Sequence, residues 1–287
     1  MDFDLEAATN FVGTHGRLLD WRRLRHLLGD GAPEHVLLAL DGYHNPDGGY
    51  GWALEPDLRS VTSQPVAAMH ALEVLAELRD TGDRAPRLLD WLAGQALADG
   101  SVPFARAYPD TAGSAPHWAG ADPAAPSLMM TAQLAAQAHR LAPHHPGVAG
   151  HPWLAAATSY GLAAIERIDE PPFAIELMFL LRFLDAIDSP LTGRLAGYAN
   201  SDGPTRVAGG AEGEVLHLLD FTPHPGTRSR SSFDADAVAA DRERLAGLQQ
   251  PDGGWPITFA AFSPAAALEW RGYATVQAVS VLLDAPL

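Results

Sequence analysis

Two acids and an arginine separated by single residues, Glu55-Pro56-Asp57-Leu58-Arg59, form the densest group of reactive side chains in the sequence. Proline between the two carboxylates stiffens the backbone that carries them. Arg59 can pair with either acid or bind an anionic head group. Carboxylates that are crowded and buried keep a proton toward neutral pH, because like charge and desolvation both disfavour the anion. A retained proton is what a general acid needs. Glu55 and Asp57 are therefore the leading candidate catalytic residues.

Further acids stand ahead of other apolar segments: Asp122, Asp169 with Glu170, Glu212 with Glu214, and Glu269 with Arg271. If successive helix starts open on one end of a barrel, these acids form a ring around its mouth, and Asp122 and Glu269 join the catalytic candidates. Tyr50, Trp52, Trp118, Trp255, Trp270 and Tyr273 would line that mouth. Aromatic faces stabilise a cation by about 1 kcal/mol or more once desolvated. Each of these acids also suits a helix cap, where the helix dipole favours an anion.

Substrate contacts are expected from Trp52, Arg59, Gln64, His70, Trp118, Gln133, Trp270, Arg271, Tyr273 and Gln277. The three glutamines close Thr-x-Gln triplets (62–64, 131–133, 275–277), read as helix starts that supply a polar rim or simply cap. His70 lies among apolar residues, where a histidine also serves as a core residue with one satisfied hydrogen bond. His144, His145 and His151 are interrupted by proline and glycine, which suits an exposed turn better than a metal site.

Composition removes whole classes of chemistry. The 287 residues include no cysteine, and all 19 basic residues are arginine. Thiolate nucleophiles, Schiff-base lysines, a P-loop lysine and cysteine-ligated zinc are thereby excluded. A formal net charge of −16 argues against nucleic acid and anionic membrane surfaces as partners. No apolar run is long enough for a membrane-spanning helix. The acidic start, MDFDLEAATNF, lacks the positive region of a secretory signal. A cytoplasmic, metal-independent protein without a cofactor is the expectation.

The elements that must position these residues repeat. Asn45-Pro46-Asp47-Gly48-Gly49-Tyr50 returns as Gln250-Pro251-Asp252-Gly253-Gly254-Trp255. Ala53-Leu54-Glu55 returns as Ala267-Leu268-Glu269. Asp99-Gly100 marks a third copy and Asp202-Gly203 a fourth. Repetition on this scale signals stacked supersecondary units. Val66, Met69, His70, Val74, Leu75 and Leu78 recur at helical spacing behind Pro65, giving a helix apolar on nearly every side. Others are one-sided, such as 18–28 with Arg22, Arg23 and Arg25 outward, after a break at Gly13 and Gly16. About twelve helices in alternating pairs, with no convincing strand, follow from such patterning. The chain reads as one all-α domain, 1–287, with 222–232 as a linker or flap and a short helix over 214–221.

Gln249-x-x-x-Gly253-x-Trp255 resembles the QW repeat of the terpene-cyclase and prenyltransferase superfamily, and 44–50 resembles a degenerate copy of it. The resemblance implies an (α/α)6 toroid whose inner helices line a central cavity, with Gln249 and Trp255 as structural staples. It also implies a cyclase or isomerase, in lyase or isomerase chemistry, acting on an isoprenoid or other apolar small molecule by class II-like carboxylate acid catalysis. The departures are definite: the nearest match to the DxDD motif is Asp234-Ala235-Asp236, which suits an N-cap cluster, and no DDxxD-type magnesium site or cysteine-containing zinc site is present. A carbohydrate-active enzyme with two carboxylates across a groove and a non-catalytic ligand-binding toroid stand as alternatives.

Overall fold

Proline stands first in many of the helices, where its missing N–H is one of the donors a helix start leaves unbonded anyway. In the computed structural model, which describes residues 3–201 and 203–285, the helices in chain order begin with α1 (Leu5–His15), α2 (Leu18–Leu27), α3 (Pro33–Asp41), α4 (Pro65–Glu77) and α5 (Arg84–Gln95). Next come α6 (Pro116–Ala119), α7 (Leu128–Leu141), α8 (Pro146–Ala149), α9 (Pro152–Glu166) and α10 (Ala174–Ala186). The last are α11 (Thr192–Ala196), α12 (Leu218–Phe221), α13 (Ala235–Gly247) and α14 (Pro264–Leu282). The chain is mostly helical, as expected for an all-α protein, with more helices than the twelve read from periodicity. The additional ones are the four-residue turns α6 and α8, too short to leave a periodic signal, whereas α12 falls within the short helix expected over 214–221.

Strands do occur. β1 (Val102–Pro103) pairs antiparallel with β2 (Pro126–Ser127), and β3 (Thr205–Arg206) with β4 (Val215–Leu216). Each is a two-residue ladder closing a loop, so alternation of side chains has no room to show in the sequence.

Two compact units divide the chain: one comprises 1–39, 173–181 and 192–287, the other 40–172 and 182–191. In the 40–172 unit, every residue of α4 except Glu77 is buried, as is α7 from Met130 to Ala138. α5 and α9 bury single faces instead: Ala85, Leu88, Leu89, Trp91 and Leu92 on the first, Trp153, Leu154, Ala157, Gly161 and Ile165 on the second. α4 packs along α7, and α7 along α9. Within this unit α4 and the first part of α7 are enclosed, whereas α5 and α9 are buried on one face.

In the other unit α1, α2 and α14 pack together over a core of Ala8, Phe11, Val12, Leu24, Trp255, Val276 and Val279. α1 runs through Gly13, where the Trp21 ring packs against the bare backbone, and the break comes only at Gly16. Arg23 is not outward: it is buried, 3.8 Å from Asp20, which Arg17 grips at 2.8 and 3.0 Å. An amphipathic pattern assigned all three arginines to water, and this carboxylate on the same helix overrode it. Residues 222–232 are tied down more firmly than a linker. Thr222 and Ser229 are fully buried and hydrogen-bonded to each other at 2.9 Å, and Arg230 donates to the Thr222 carbonyl.

The repeated turn is built alike in each unit. Asn45 N–H donates to Gly49 O, Gly48 N–H to Asn45 O, and Gly49 N–H to Asp47 Oδ1. Gln250, Gly253, Gly254 and Asp252 make the same bonds. Gly48 and Gly253 sit at φ +90° and +92°, a left-handed conformation that glycine adopts without steric cost. In the third copy Leu97, Gly100, Ser101 and Asp99 repeat the pattern with Gly100 at +86°. Asp202 of the fourth copy lies outside the described residues.

The triplets do not all mark helix starts. Gln64 is the residue just ahead of α4, but Thr131 lies within the first turns of α7, and Thr275 and Gln277 lie mid-helix in α14. Thr131 and Thr275 share a different task. Each hydroxyl donates back into its own helix, to Ser127 O and Arg271 O, and accepts the N–H of the residue after the repeated turn, Val102 or Trp255. The threonine thus pins turn to helix.

Candidate functional site

Residues 51–59 form a tight, irregular segment. Gly51 is pressed against the carbonyls of Val61 and Thr62, which leave no room for a side chain. Trp52 and Ala53 both take left-handed backbone angles, φ 56° and 60°, a costly conformation for non-glycine residues. Trp52 is 52% exposed, its indole N–H held by Asn45 Oδ1 at 2.7 Å. Turns at Leu54 and Leu58 then carry Glu55 and Asp57 into the interior, where they are 4% and 5% exposed.

The Glu55 carboxylate divides its bonds. Oε1 accepts the Asp57 N–H at 3.1 Å, and Oε2 meets His70 Nε2 at 3.1 Å. His70 projects from α4, and on its other side Nδ1 lies 3.6 Å from Glu73 Oε2, one helical turn onward. The first is a hydrogen bond and the second an ion-pair distance. Burial by itself pushes the His70 imidazole down, but hydrogen bonding to Glu55 and Glu73 outweighs it and raises its pKa above the usual 6.5. A cationic imidazole is thereby favoured in a water-poor interior.

The long segment 99–126 covers this group. Ala115 N–H donates to Asp57 O at 2.8 Å, Arg59 N–H to Gly113 O at 3.2 Å, and Leu58 pairs with Ser114 as an isolated antiparallel bridge. Gln64 clamps the same segment from both sides, accepting from Arg106 N–H at 2.9 Å and donating to Arg106 O at 3.3 Å. It acts as a latch on that segment. Trp118 stacks face to face on Phe104, centroids 4.5 Å apart. The Ser114 hydroxyl and the Trp118 indole N–H are buried with no hydrogen-bond partner among the described residues.

The structure thus gathers Glu55, Asp57 and His70, with Arg59, Gln64 and the 99–126 segment along the same stretch of chain. Gln133 is buried on α7, its amide 3.2 Å from Met130 Sδ. Asp122 stays outside the group: it is exposed, and its carboxylate accepts the Ala124 N–H in a local turn. Glu269, Trp270, Arg271, Tyr273 and Gln277 all lie on α14, in the other unit. Glu269 is in the second turn of that helix rather than ahead of it, because α14 starts at Pro264. Arg271 is committed to structure: it grips Asp252 at 2.7 and 2.9 Å, donates to Trp255 O, and lies over the Phe11 ring. Trp270 packs edge-on between Phe259 and Tyr273, and Arg23 lies over the Tyr273 ring.

Glu73 and Ser114 escaped the sequence reading. A glutamate three residues after a histidine, in a helix apolar elsewhere, was the available signal for the first. Ser114 left none, since its position depends on a one-pair bridge. Two of the histidines of 144–151 tie their turn to distant parts of the chain, His145 to Gly82 O and His151 to Asp90. Among the described residues no group of three His, Asp or Glu is arranged to hold a metal ion, and the two nitrogens of His70 face separate carboxylates.

Two open pockets mark the surface, of about 440 and 530 Å³, one against each glycine-glycine turn. Arg271 and Asp252 line the first, Asp47, Trp91 and Arg106 the second. Among the described residues no helix is long and apolar enough to cross a membrane.

No family model matches the sequence, and no curated protein matches it. Among solved structures the chain is similar to a protein from Actinoplanes, with a TM-score of 0.53 and 17% identity, over 98% of this chain and 89% of that one. At that identity the likeness speaks for the fold alone.

Proposed function

We propose that the chain is a terpene-cyclase-like enzyme, a cytoplasmic cyclase or isomerase that takes an isoprenoid or other apolar small molecule into the cavity of an (α/α)6 toroid and acts by proton transfer. The observation that carries this reading is the buried Glu55–His70 hydrogen bond, with Asp57 bonded to the same carboxylate. A proton held between a carboxylate and an imidazole away from water is a store of acid. In this reading it passes from His70 Nε2 to Glu55 and from Glu55 to a substrate double bond, leaving a carbocation. Loss of a proton from the rearranged or cyclised cation returns it to the pair. Asp57 orients Glu55 through its backbone N–H. The QW-like turn at Gln249 supports the family reading: Gln249 bridges Asp4 and Gly253, and the Trp255 indole donates to Leu245 O.

A non-catalytic ligand-binding protein is the second reading, favoured by the fate of the other acids. Asp122 and Glu214 serve local turns, and Asp234 caps α13 through Asp236 and Ala237. Native mass spectrometry of protein purified from its host, followed by turnover assays on linear isoprenoids, separates the two. Glu55→Gln should reduce turnover about 10²- to 10⁴-fold, the usual cost of a lost general acid. A Glu55→Gln, Asp57→Asn double variant with full turnover would remove this segment from the chemistry. A bound apolar ligand without turnover would favour the binding reading.

A further inference from the structure

Glu73 plays no part in the proton path just described, yet it is the second carboxylate on His70. The two carboxylates approach the imidazole from opposite sides: Glu55 at Nε2, 3.1 Å away, and Glu73 at Nδ1, 3.6 Å away. They come from different places in the chain. Glu55 sits in the irregular segment ahead of α4, held there by the Asp57 N–H, whereas Glu73 shares the α4 face with His70 at a spacing of three. All three side chains are buried, and α4 is enclosed along almost its whole length.

A histidine clasped only by Glu55 could turn about its Cβ–Cγ bond and carry Nε2 away from its partner. A second anion on the far nitrogen removes that freedom, since turning the ring would sacrifice both interactions. We propose that Glu73 is a positioning residue for His70, holding the Nδ1 side of the ring so that the Nε2–H stays directed at Glu55. This deepens the reading of Glu55 and His70 as the proton-handling pair and rests on it for its functional meaning.

Among the described residues, the charged groups on α7 and α5, the helices that pack on α4, are in the last turn or bound elsewhere. α7, which runs along α4, carries its only titratable groups, His139 and Arg140, in its last turn. On α5, Arg84 is bound to Asp41, Arg87 to Asp83, and Asp90 to His151. Glu55 and Glu73 are the carboxylates that raise the His70 pKa.

The test is an NMR titration of the His70 side chain in the intact chain, with Glu73→Gln and Glu73→Asp beside the wild type. Removing an opposite charge at this range should lower the titration midpoint by about 1 to 3 units. The Nε2–H resonance should also move upfield and exchange faster with water in Glu73→Gln. Glu73→Asp keeps the charge and should restore most of both signals. An unmoved midpoint and Nε2–H signal in folded Glu73→Gln would overturn the proposal, as would an Asp variant that behaves like the Gln one. If Glu73→Gln does not fold, Glu73→Asp decides alone: a near-native midpoint and Nε2–H signal support positioning, and a loss of both refutes it. Turnover of Glu55→Gln, measured in parallel, reports on the catalytic reading independently, so either idea can fail while the other stands.

Discussion

The same substitution at two copies of the repeated turn should have unequal cost. Asp47 and Asp252 both accept the N–H two residues on, but their other partners differ. Asp47 also takes the Ser63 hydroxyl at 2.7 Å and the Trp91 indole N–H at 3.1 Å, both from buried residues. Asp252 takes the Arg271 guanidinium instead, in a pair that is partly exposed. Asp47→Ala leaves the Gly49, Ser63 and Trp91 donors without their acceptor. Asp47 is itself reached by solvent, so water offers partial replacement; about 1 kcal/mol per bond gives about 3 kcal/mol in all. Asp252→Ala loses one backbone bond worth about 1 kcal/mol and an exposed ion pair worth about 0 to 1. Arg271 keeps its bond to Trp255 O and its place over Phe11. Urea unfolding at matched m-values should show Asp47→Ala less stable than Asp252→Ala by about 1 to 2 kcal/mol. An Asp252→Ala variant as damaged as Asp47→Ala, or more so, would refute the reasoning, because the shared turn would then matter and its partners would not.

Gln249→Ala should cost about 1 to 2 kcal/mol through loss of its bonds to Asp4 and Gly253, and hydrogen exchange should rise at residues 4–8; unchanged protection there would remove the staple. Stability should also depend on pH in opposite senses on the two sides of neutrality. His70 has a folded pKa raised above 6.5, so its stabilisation is fully present below about 6.5 and is lost as pH climbs through the folded value. His139 and His217, lowered chiefly by burial, resist protonation in the folded state and therefore weaken it as pH falls below about 6.5. His70→Gln should flatten only the alkaline limb, and a variant that kept that limb would show that His70 does not cause it.

Much of the architecture was legible because helical periodicity and punctuation are local. Pro65 opens α4, Pro152 opens α9, and the glycine-glycine turns fall where the repeat puts them. What escaped depends on partners far along the chain. α6 is one turn long, and the β1–β2 pair joins residues more than twenty apart with two residues a side. Arg23 belongs to a periodicity that pointed it to water, and only Asp20, itself fully buried, explains its inward place. Of the site, Glu55 and Asp57 stood out through their density, and His70 through its apolar setting. Their assembly did not, because Glu55 is brought to His70 by an irregular segment that starts with two left-handed residues, Trp52 and Ala53, which no pattern specifies.

The fates of Asp4, Asp234, Asp122 and Glu55 track the distance between each one and its next helix. Asp4 and Asp234 stand immediately before a helix, and their side chains cap it. Asp122 stands a few residues ahead of α7, and its carboxylate closes its own turn. Glu55 stands farther from Pro65, with room for the chain to double back. The turn ending at Leu58 and the latch of Asn45 on Val61 O return the segment against α4, so the carboxylate meets the side of the helix, at His70, and not its start. A helix start offers free N–H groups to a carboxylate, whereas the side of a buried helix offers only side chains. The local Asp57 N–H satisfies Oε1 of Glu55, but on the helix side it is His70 that meets Oε2, and any change that shortens 56–64 should convert Glu55 from a partner of that histidine into one more cap.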